Sequence, residues 1–240
     1  MVSLLSASSN AGELHRVTNS GEVDDVLNAA RNATPHIDLF ALLGITRGLR
    51  RGEICGLCWD DIDFETKQIR INHNLIESST YGVDGTPITE LVLKEPKSVT
   101  SRRTLTLSAD LERALKRVKS EQSQNRLSSP DPWPEERYVF TAKNGNPVWP
   151  RNLGRSFRRF LKREGLPHVG VHDLRRTCAN TASQAGVPIE EISELLGHAS
   201  IGITKSLYIG QVEVLALRAC SAIDEYLDPT YPTPRIVGRP

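Results

Sequence analysis

The spacing of apolar residues changes twice along this chain. It is helical up to residue 57, follows a strand period between residues 60 and 107, and is helical again from residue 109 onward. In the first part, residues 22–31 form a short amphipathic helix and residues 36–47 a mostly apolar one. A third helix at 50–57 begins after Gly48 and leads to Trp59. In the second part, Asp60-Asp61-Ile62-Asp63-Phe64 reads as a turn into a strand. Residues 68–72, 88–93 and 103–107 are further strand candidates, with a turn at Glu95-Pro96-Lys97. In the third part, Leu111, Leu115 and Val118 share one face of a helix over 109–122, and residues 127–134 are a loop. A short buried segment at 138–140 precedes a turn at Asn144-Gly145. Residues 151–164, 172–185, 189–196, 200–208 and 213–227 read as helices, with Phe157, Phe160 and Leu161 as the core face of the first. Gly186 and Gly197 end two of them. The expected fold class is α+β, mainly helical, with a small antiparallel three-stranded sheet. Residues 1–20, rich in Ser and Asn, and the proline-bearing residues 228–240 read as tails.

Composition narrows the class only slightly. No apolar run approaches the roughly 20 residues of a membrane span, and Met1-Val2-Ser3-Leu4-Leu5 lacks the basic flank of a signal peptide. A cytoplasmic protein is expected, with no membrane partner. Cys55 and Cys58 form a C-x-x-C inside a predicted helix, without a second pair at zinc-ribbon spacing, so core or helix-surface thiols are expected. Nothing in the chain suggests a disulfide framework or an acidic metal-ligand cluster, and neither metal nor cofactor is expected.

Charge says more by its placement than by its sum. The net charge is only +1. Yet Arg151, Arg155, Arg158, Arg159, Lys162 and Arg163 crowd one helix with no acid between them. Arg47, Arg50 and Arg51 form a second cluster, Lys94, Lys97, Arg102 and Arg103 a third, and Arg175 and Arg176 a fourth. Acids gather elsewhere, at 22–25, 60–65 and 190–191. Segregation of this kind can give a near-neutral chain one positive face for a phosphate backbone. Solvated helix faces produce the same pattern.

Four separated places carry groups suited to one reaction. Arg50 stands at a helix start, where free N–H groups favour an anion, and Glu53 one turn on could hold its guanidinium. A helix-capping pair is the plainer reading. Lys97 lies on the turn between two strands; such a lysine is usually solvated, but near arginines it can serve as a proton donor. His172 and Arg175 are three apart, hence on one helix face, which suits a phosphate better than it suits packing. Leu196-Gly197-His198 is followed ten residues later by Tyr208, in polar surroundings.

Taken in order, Gly48-Leu49-Arg50-Arg51-Gly52-Glu53, Lys97 with Ser101-Arg102-Arg103, His172-Asp173-Leu174-Arg175-Arg176, Leu196-Gly197-His198 and Tyr208 resemble the active-site signature of the tyrosine recombinases, the phage-type integrases. Trp59 with Asp61-Ile62-Asp63 resembles the segment after that family's first arginine, and the likeness runs over residues 21–227. The resemblance implies a DNA strand transferase in which Tyr208 is the nucleophile. Arg50 and Arg175 would hold the non-bridging oxygens, Lys97 would be the general acid, His172 the proton acceptor and His198 a hydrogen-bond donor, with Glu53 in support. Arg51, Arg102, Arg103, Arg151, Arg155, Arg158, Arg159 and Arg176 are the candidate DNA contacts. The implied partners are double-stranded DNA, further copies of the chain in a tetramer joined through helix 213–227, and accessory DNA-bending proteins. Two features depart from the family pattern. Gly210 stands where a histidine is common, and only about 20 residues precede the region of likeness, where the family usually carries a helical core-binding domain, so either an excised catalytic domain or a natural short form is expected. A topoisomerase- or resolvase-like strand transferase, or a DNA-binding module that has kept the fold without the chemistry, are the alternatives.

Overall fold

The computed structural model describes residues 20–95, 102–134 and 136–198. Lys97 and Tyr208 lie outside them, as do the expected helices at 200–208 and 213–227, the C-terminal tail and the N-terminal tail up to residue 19.

Helix α1 (Ser20–Arg31) packs on α2 (Pro35–Arg47). Pro35 opens α2, where its missing N–H costs nothing, and Gly48 closes it in the left-handed conformation at φ 62°. Residues 37–45 of α2 are all buried. A mostly apolar helix buried on every side belongs at the centre of a domain. Here α1, α4 (Ala109–Ser128) and α6 (Val171–Gln184) surround it. Phe40 of α2 meets Phe157 of α5 (Pro150–Arg163) with ring centroids 5.0 Å apart. The last described helix is α7 (Ile189–Leu196), ended by Gly197 at φ 62° as its sequence implied.

The third predicted helix is a single turn, α3 (Arg51–Cys55). A Cβ on Gly52 would lie 1.9 Å from Asn74 Oδ1 and 2.9 Å from the Leu75 carbonyl oxygen. Glycine lets the next strand seat directly on this turn. Cys55 and Cys58 are buried thiols, in agreement with the sequence, and burial pushes Cys55 up to about 12.

The β region is where the sequence reading needs correction. A three-stranded antiparallel sheet is present, built from β1 (Ile62–Asp63), β2 (Gln68–Ile71) and β5 (Arg103–Thr106). The expected strand at 88–93 is not part of it. It belongs to β4 (Pro87–Lys94), which pairs instead with β3 (Asn74–Tyr81), a strand absent from the sequence reading. Beyond Leu75 the run Glu77-Ser78-Ser79-Thr80 carries no apolar alternation, because this hairpin projects from the core and its tip is exposed. Helix α4 also runs past residue 122 to Ser128, shortening the expected loop.

Candidate active site

The start of α3, the start of β5 and the second turn of α6 deliver the charged groups to one point, the C-terminal end of α7. Three successive carbonyls there are each taken by a different arginine. Arg103 Nε donates to Leu195 at 2.7 Å, Arg175 donates to Leu196, and Arg50 donates to Gly197 at 3.0 Å. A helix end leaves such carbonyls unpaired and slightly negative, so guanidinium groups are favourable partners. Arg175 also donates to the Gly48 carbonyl at the end of α2, and its residue is only 6% exposed.

Glu53 is the counterion. It accepts the backbone N–H and the Nη1 of Arg50, each at 2.8 Å. Arg103 adds a fork, Nη1 to Oε1 at 3.1 Å and Nη2 to Oε2 at 3.0 Å. The Arg50–Glu53 pair is therefore both things the sequence allowed, a cap for α3 and a clamp on the arginine. Burial pushes the Glu53 carboxyl up, but the hydrogen bonds and charge of Arg103, then those of Arg50, outweigh it and hold the pKa below the usual carboxylate range.

Three arginines and one carboxylate leave the site positive. Burial, followed by repulsion from Arg50, lowers Arg175 to about 9, so it stays charged at neutral pH. Partly buried His198 follows directly on Gly197. Burial, then Arg175, Arg50 and Arg103, lower it to about 4. It is a neutral imidazole at physiological pH and offers one N–H donor rather than a charge. Neither Arg50 nor Arg175 spends all five guanidinium N–H donors on these bonds, and the Arg50 side chain is 37% exposed.

The expected residues separate into groups. Arg50, Glu53, Arg175 and His198 are brought together. His172 is exposed in the first turn of α6 and shares a cleft of about 370 Å³ with Arg50, Arg51, Asn74 and Glu77. Arg51, Arg102, Arg155, Arg158 and Arg159 are exposed, and Arg176 is half-buried. Arg151 is exposed too, stacked over Trp149 at 4.8 Å with its backbone N–H on Glu77 at 3.0 Å. Arg103 is turned inward: its side chain is 7% exposed and forks onto Glu53. The sequence held the signal: Arg103 is in phase with buried Leu105 and Leu107, whereas Thr104 and Thr106 face out.

Among the described residues, Cys58, Asp61 and His73 bring ligand-type atoms within 4.8 Å of one another. The group is already satisfied as a corner of the fold. Asp61 accepts from the Cys58 N–H at 3.1 Å, from Asn72 at 3.0 Å and pairs with His73 Nδ1 at 3.1 Å. Burial and the neighbouring Asp61 raise the Cys58 thiol, which keeps it protonated and a poor ligand.

These features define a class: a mostly helical α+β domain in which guanidinium groups from separate elements converge on the end of one helix. The chain belongs to the phage integrase family, whose family model matches residues 16–213. It is 34% identical over 170 residues to a XerC-like tyrosine recombinase of Caldanaerobacter subterraneus subsp. tengcongensis, covering 70% of this chain and 44% of that one. It is 30% identical over 200 residues to an integrase of Streptomyces ambofaciens, covering 80% and 48%. The chain thus spans less than half the length of either relative. The fold is shared with the Tn1549 transposon integrase solved in complex with circular intermediate DNA, at a TM-score of 0.69 and 21% identity over 90% of this chain and 69% of that one. XerA recombinase superposes at 0.61, with 20% identity over 93% and 68%. Among the described residues no helix is long and apolar enough to cross a membrane.

Proposed function

We propose that this chain is the catalytic domain of a site-specific DNA recombinase, an integrase of a phage or mobile element, that cleaves and rejoins DNA through a 3′-phosphotyrosyl intermediate. The observation that carries the reading is the convergence of Arg50, Arg175 and neutral His198 at the end of α7, with Glu53 fixing the first of them. The Tyr208 oxygen attacks the phosphorus and the bond from phosphorus to the 5′-oxygen breaks. Lys97 gives the leaving oxygen its proton, and His172 takes the proton from the tyrosine hydroxyl. Arg50 and Arg175 stabilise the charge gathering on the non-bridging oxygens, and His198 donates to one of them. The phosphotyrosyl bond conserves the ester energy, so a second 5′-hydroxyl can reverse the step without a nucleotide cofactor. Guanidinium groups supply the charge, so no metal is required.

Double-stranded DNA is the substrate and partner, met by Arg51, Arg102, Arg151, Arg155, Arg158, Arg159 and Arg176. Assembly as a tetramer through residues 213–227, with DNA-bending proteins assisting, and action in the cytoplasm complete the proposal. Relatives bearing the names recombinase and integrase favour this over a topoisomerase, a resolvase or a non-catalytic module. The test is a suicide duplex, nicked beside a cleavage site selected from a random pool by covalent capture. A protein–DNA adduct with the unaltered chain, lost in Tyr208→Phe while binding persists, is expected. Binding without adduct overturns the enzymatic reading, and adduct in the phenylalanine variant overturns the choice of nucleophile.

A further inference from the structure

We infer that Arg103 is a positioning residue of this site, locking Glu53 and the end of α7 together so that Arg50 and His198 are held for the reaction; the inference rests on the strand-transfer reading above. Three bonds to described residues make the lock. The guanidinium forks onto both oxygens of Glu53 at 3.1 and 3.0 Å, and its Nε reaches the Leu195 carbonyl at 2.7 Å. Both are one step from a functional group. Glu53 holds Arg50 through side chain and backbone, and the Leu195 carbonyl lies three residues before His198 on the turn that ends α7. Arg103 comes from β5, which is anchored to β2 along Gln68–Ile71. The reference point for the site is therefore the sheet, not the surface.

A planar fork suits this task and an ammonium does not. Bidentate pairing fixes the plane of the carboxylate, and the Nε–H serves the carbonyl at a set angle. The bonds to Glu53 and to the Leu195 carbonyl turn the Arg103 guanidinium toward the carboxylate and the end of α7. Its charge is also felt by its neighbours. Among the described residues, the charged groups acting on His198 are Arg175, Arg50 and Arg103, all lowering its pKa alongside burial, and Glu53, raising it. Removing one of the three positive charges lets the imidazole take up a proton more readily.

The experiment compares the unaltered chain with Arg103→Lys and Arg103→Gln on a nicked half-site selected by covalent capture. Single-turnover adduct formation at saturating protein should fall by roughly 10–100-fold in both, the loss seen when outer partners that orient metal ligands are removed. The dissociation constant for the half-site and its salt dependence should stay unchanged, and the His198 imidazole midpoint, read by NMR without DNA, should rise in Arg103→Gln but not in Arg103→Lys. A normal rate in Arg103→Lys overturns the inference. So does weaker binding in step with the rate, with a salt slope smaller by about one, which marks a direct phosphate contact. An unmoved His198 midpoint in Arg103→Gln overturns it as well. Should Arg103→Gln fail to fold, Arg103→Lys carries the rate and salt comparisons. Failure of the strand-transfer reading shows separately, as no adduct from the unaltered chain, and the His198 titration then decides on Arg103 alone.

Discussion

Glu53 holds Arg50 at two points, one carboxylate oxygen on its backbone N–H and the other on its guanidinium, each at 2.8 Å. The same carboxylate thus starts α3 and fixes the side chain that α3 presents. Because Arg103 depends on it as well, Glu53→Ala leaves a buried guanidinium without its counterion. Loss of one partner from a buried pair costs about 3–5 kcal/mol. Glu53→Ala should lose stability in that range by urea denaturation, and Glu53→Gln, which keeps the shape and one acceptor, should lose less. Equal stability of all three proteins would show that the pairs contribute nothing.

Acid should act on the same carboxylate. The folded pKa of Glu53 lies below the ordinary value, so its ionised form stabilises the fold. That contribution is complete above the unfolded pKa of about 4.3 and is lost as pH falls through the folded value. Stability measured from pH 5 downward should decline less steeply in Glu53→Gln than in the unaltered chain. Identical slopes would contradict the pairing.

How much of this could be read from the sequence depends on locality. The Arg50–Glu53 clamp is one helical turn long, and its spacing alone suggested it. Helix α7 and its Gly197 stop were legible for the same reason. Strand β3 was not, because a projecting hairpin has no buried face to impose alternation on Glu77-Ser78-Ser79. The role of Arg103 was hidden by distance: its partners Glu53 and Leu195 lie 50 and 92 residues away, and only its phase with Leu105 hinted that it turns inward.

His198 should titrate far from an ordinary histidine. Its folded pKa is lowered to about 4, against about 6.5 when unfolded. The unfolded chain therefore binds a proton that the folded chain refuses between these values. Stability should be fully present above about pH 6.5 and fall as the pH drops toward 4. His36, also lowered by burial, adds to the same slope. His198→Gln should flatten the slope in part, and an NMR midpoint near 6.5 for His198 would refute the burial and repulsion argued here.

Arg50 and Arg175 should differ when removed. Either alanine variant loses one donor set for the oxyanion, worth roughly 10²–10³-fold in cleavage rate. Only Arg175 also joins two buried carbonyls, Gly48 and Leu196, so Arg175→Ala should melt lower than Arg50→Ala. Lysine at either place should recover little activity, since one ammonium cannot replace a planar fork. Near-normal rates in the lysine variants would reduce both residues to general DNA attraction.

The last test concerns the joint between fold and site. Gly48 ends α2 at φ 62°, where a side chain is strained, and an added Cβ would lie 2.5 Å from Leu196 Cδ2. The Gly48 carbonyl also receives Arg175, so this residue touches both Arg175 and the end of α7. Gly48→Ala must either twist the backbone away from its left-handed conformation or push Leu196 aside. Strain of this kind costs about 1–3 kcal/mol. The displacement falls on the carbonyl row that Arg50, Arg103 and Arg175 cap, and so on His198 beyond it. The exposed arginines of α5 are remote in sequence and keep their surface, so nonspecific duplex binding should survive. Gly48→Ala is therefore expected to melt at a lower temperature and to form adduct more slowly at saturating protein, with duplex affinity nearly unchanged. Unaltered adduct formation in a destabilised variant would mean that the end of α7 can move without disturbing the reacting groups, and would separate the fold from the chemistry at this point.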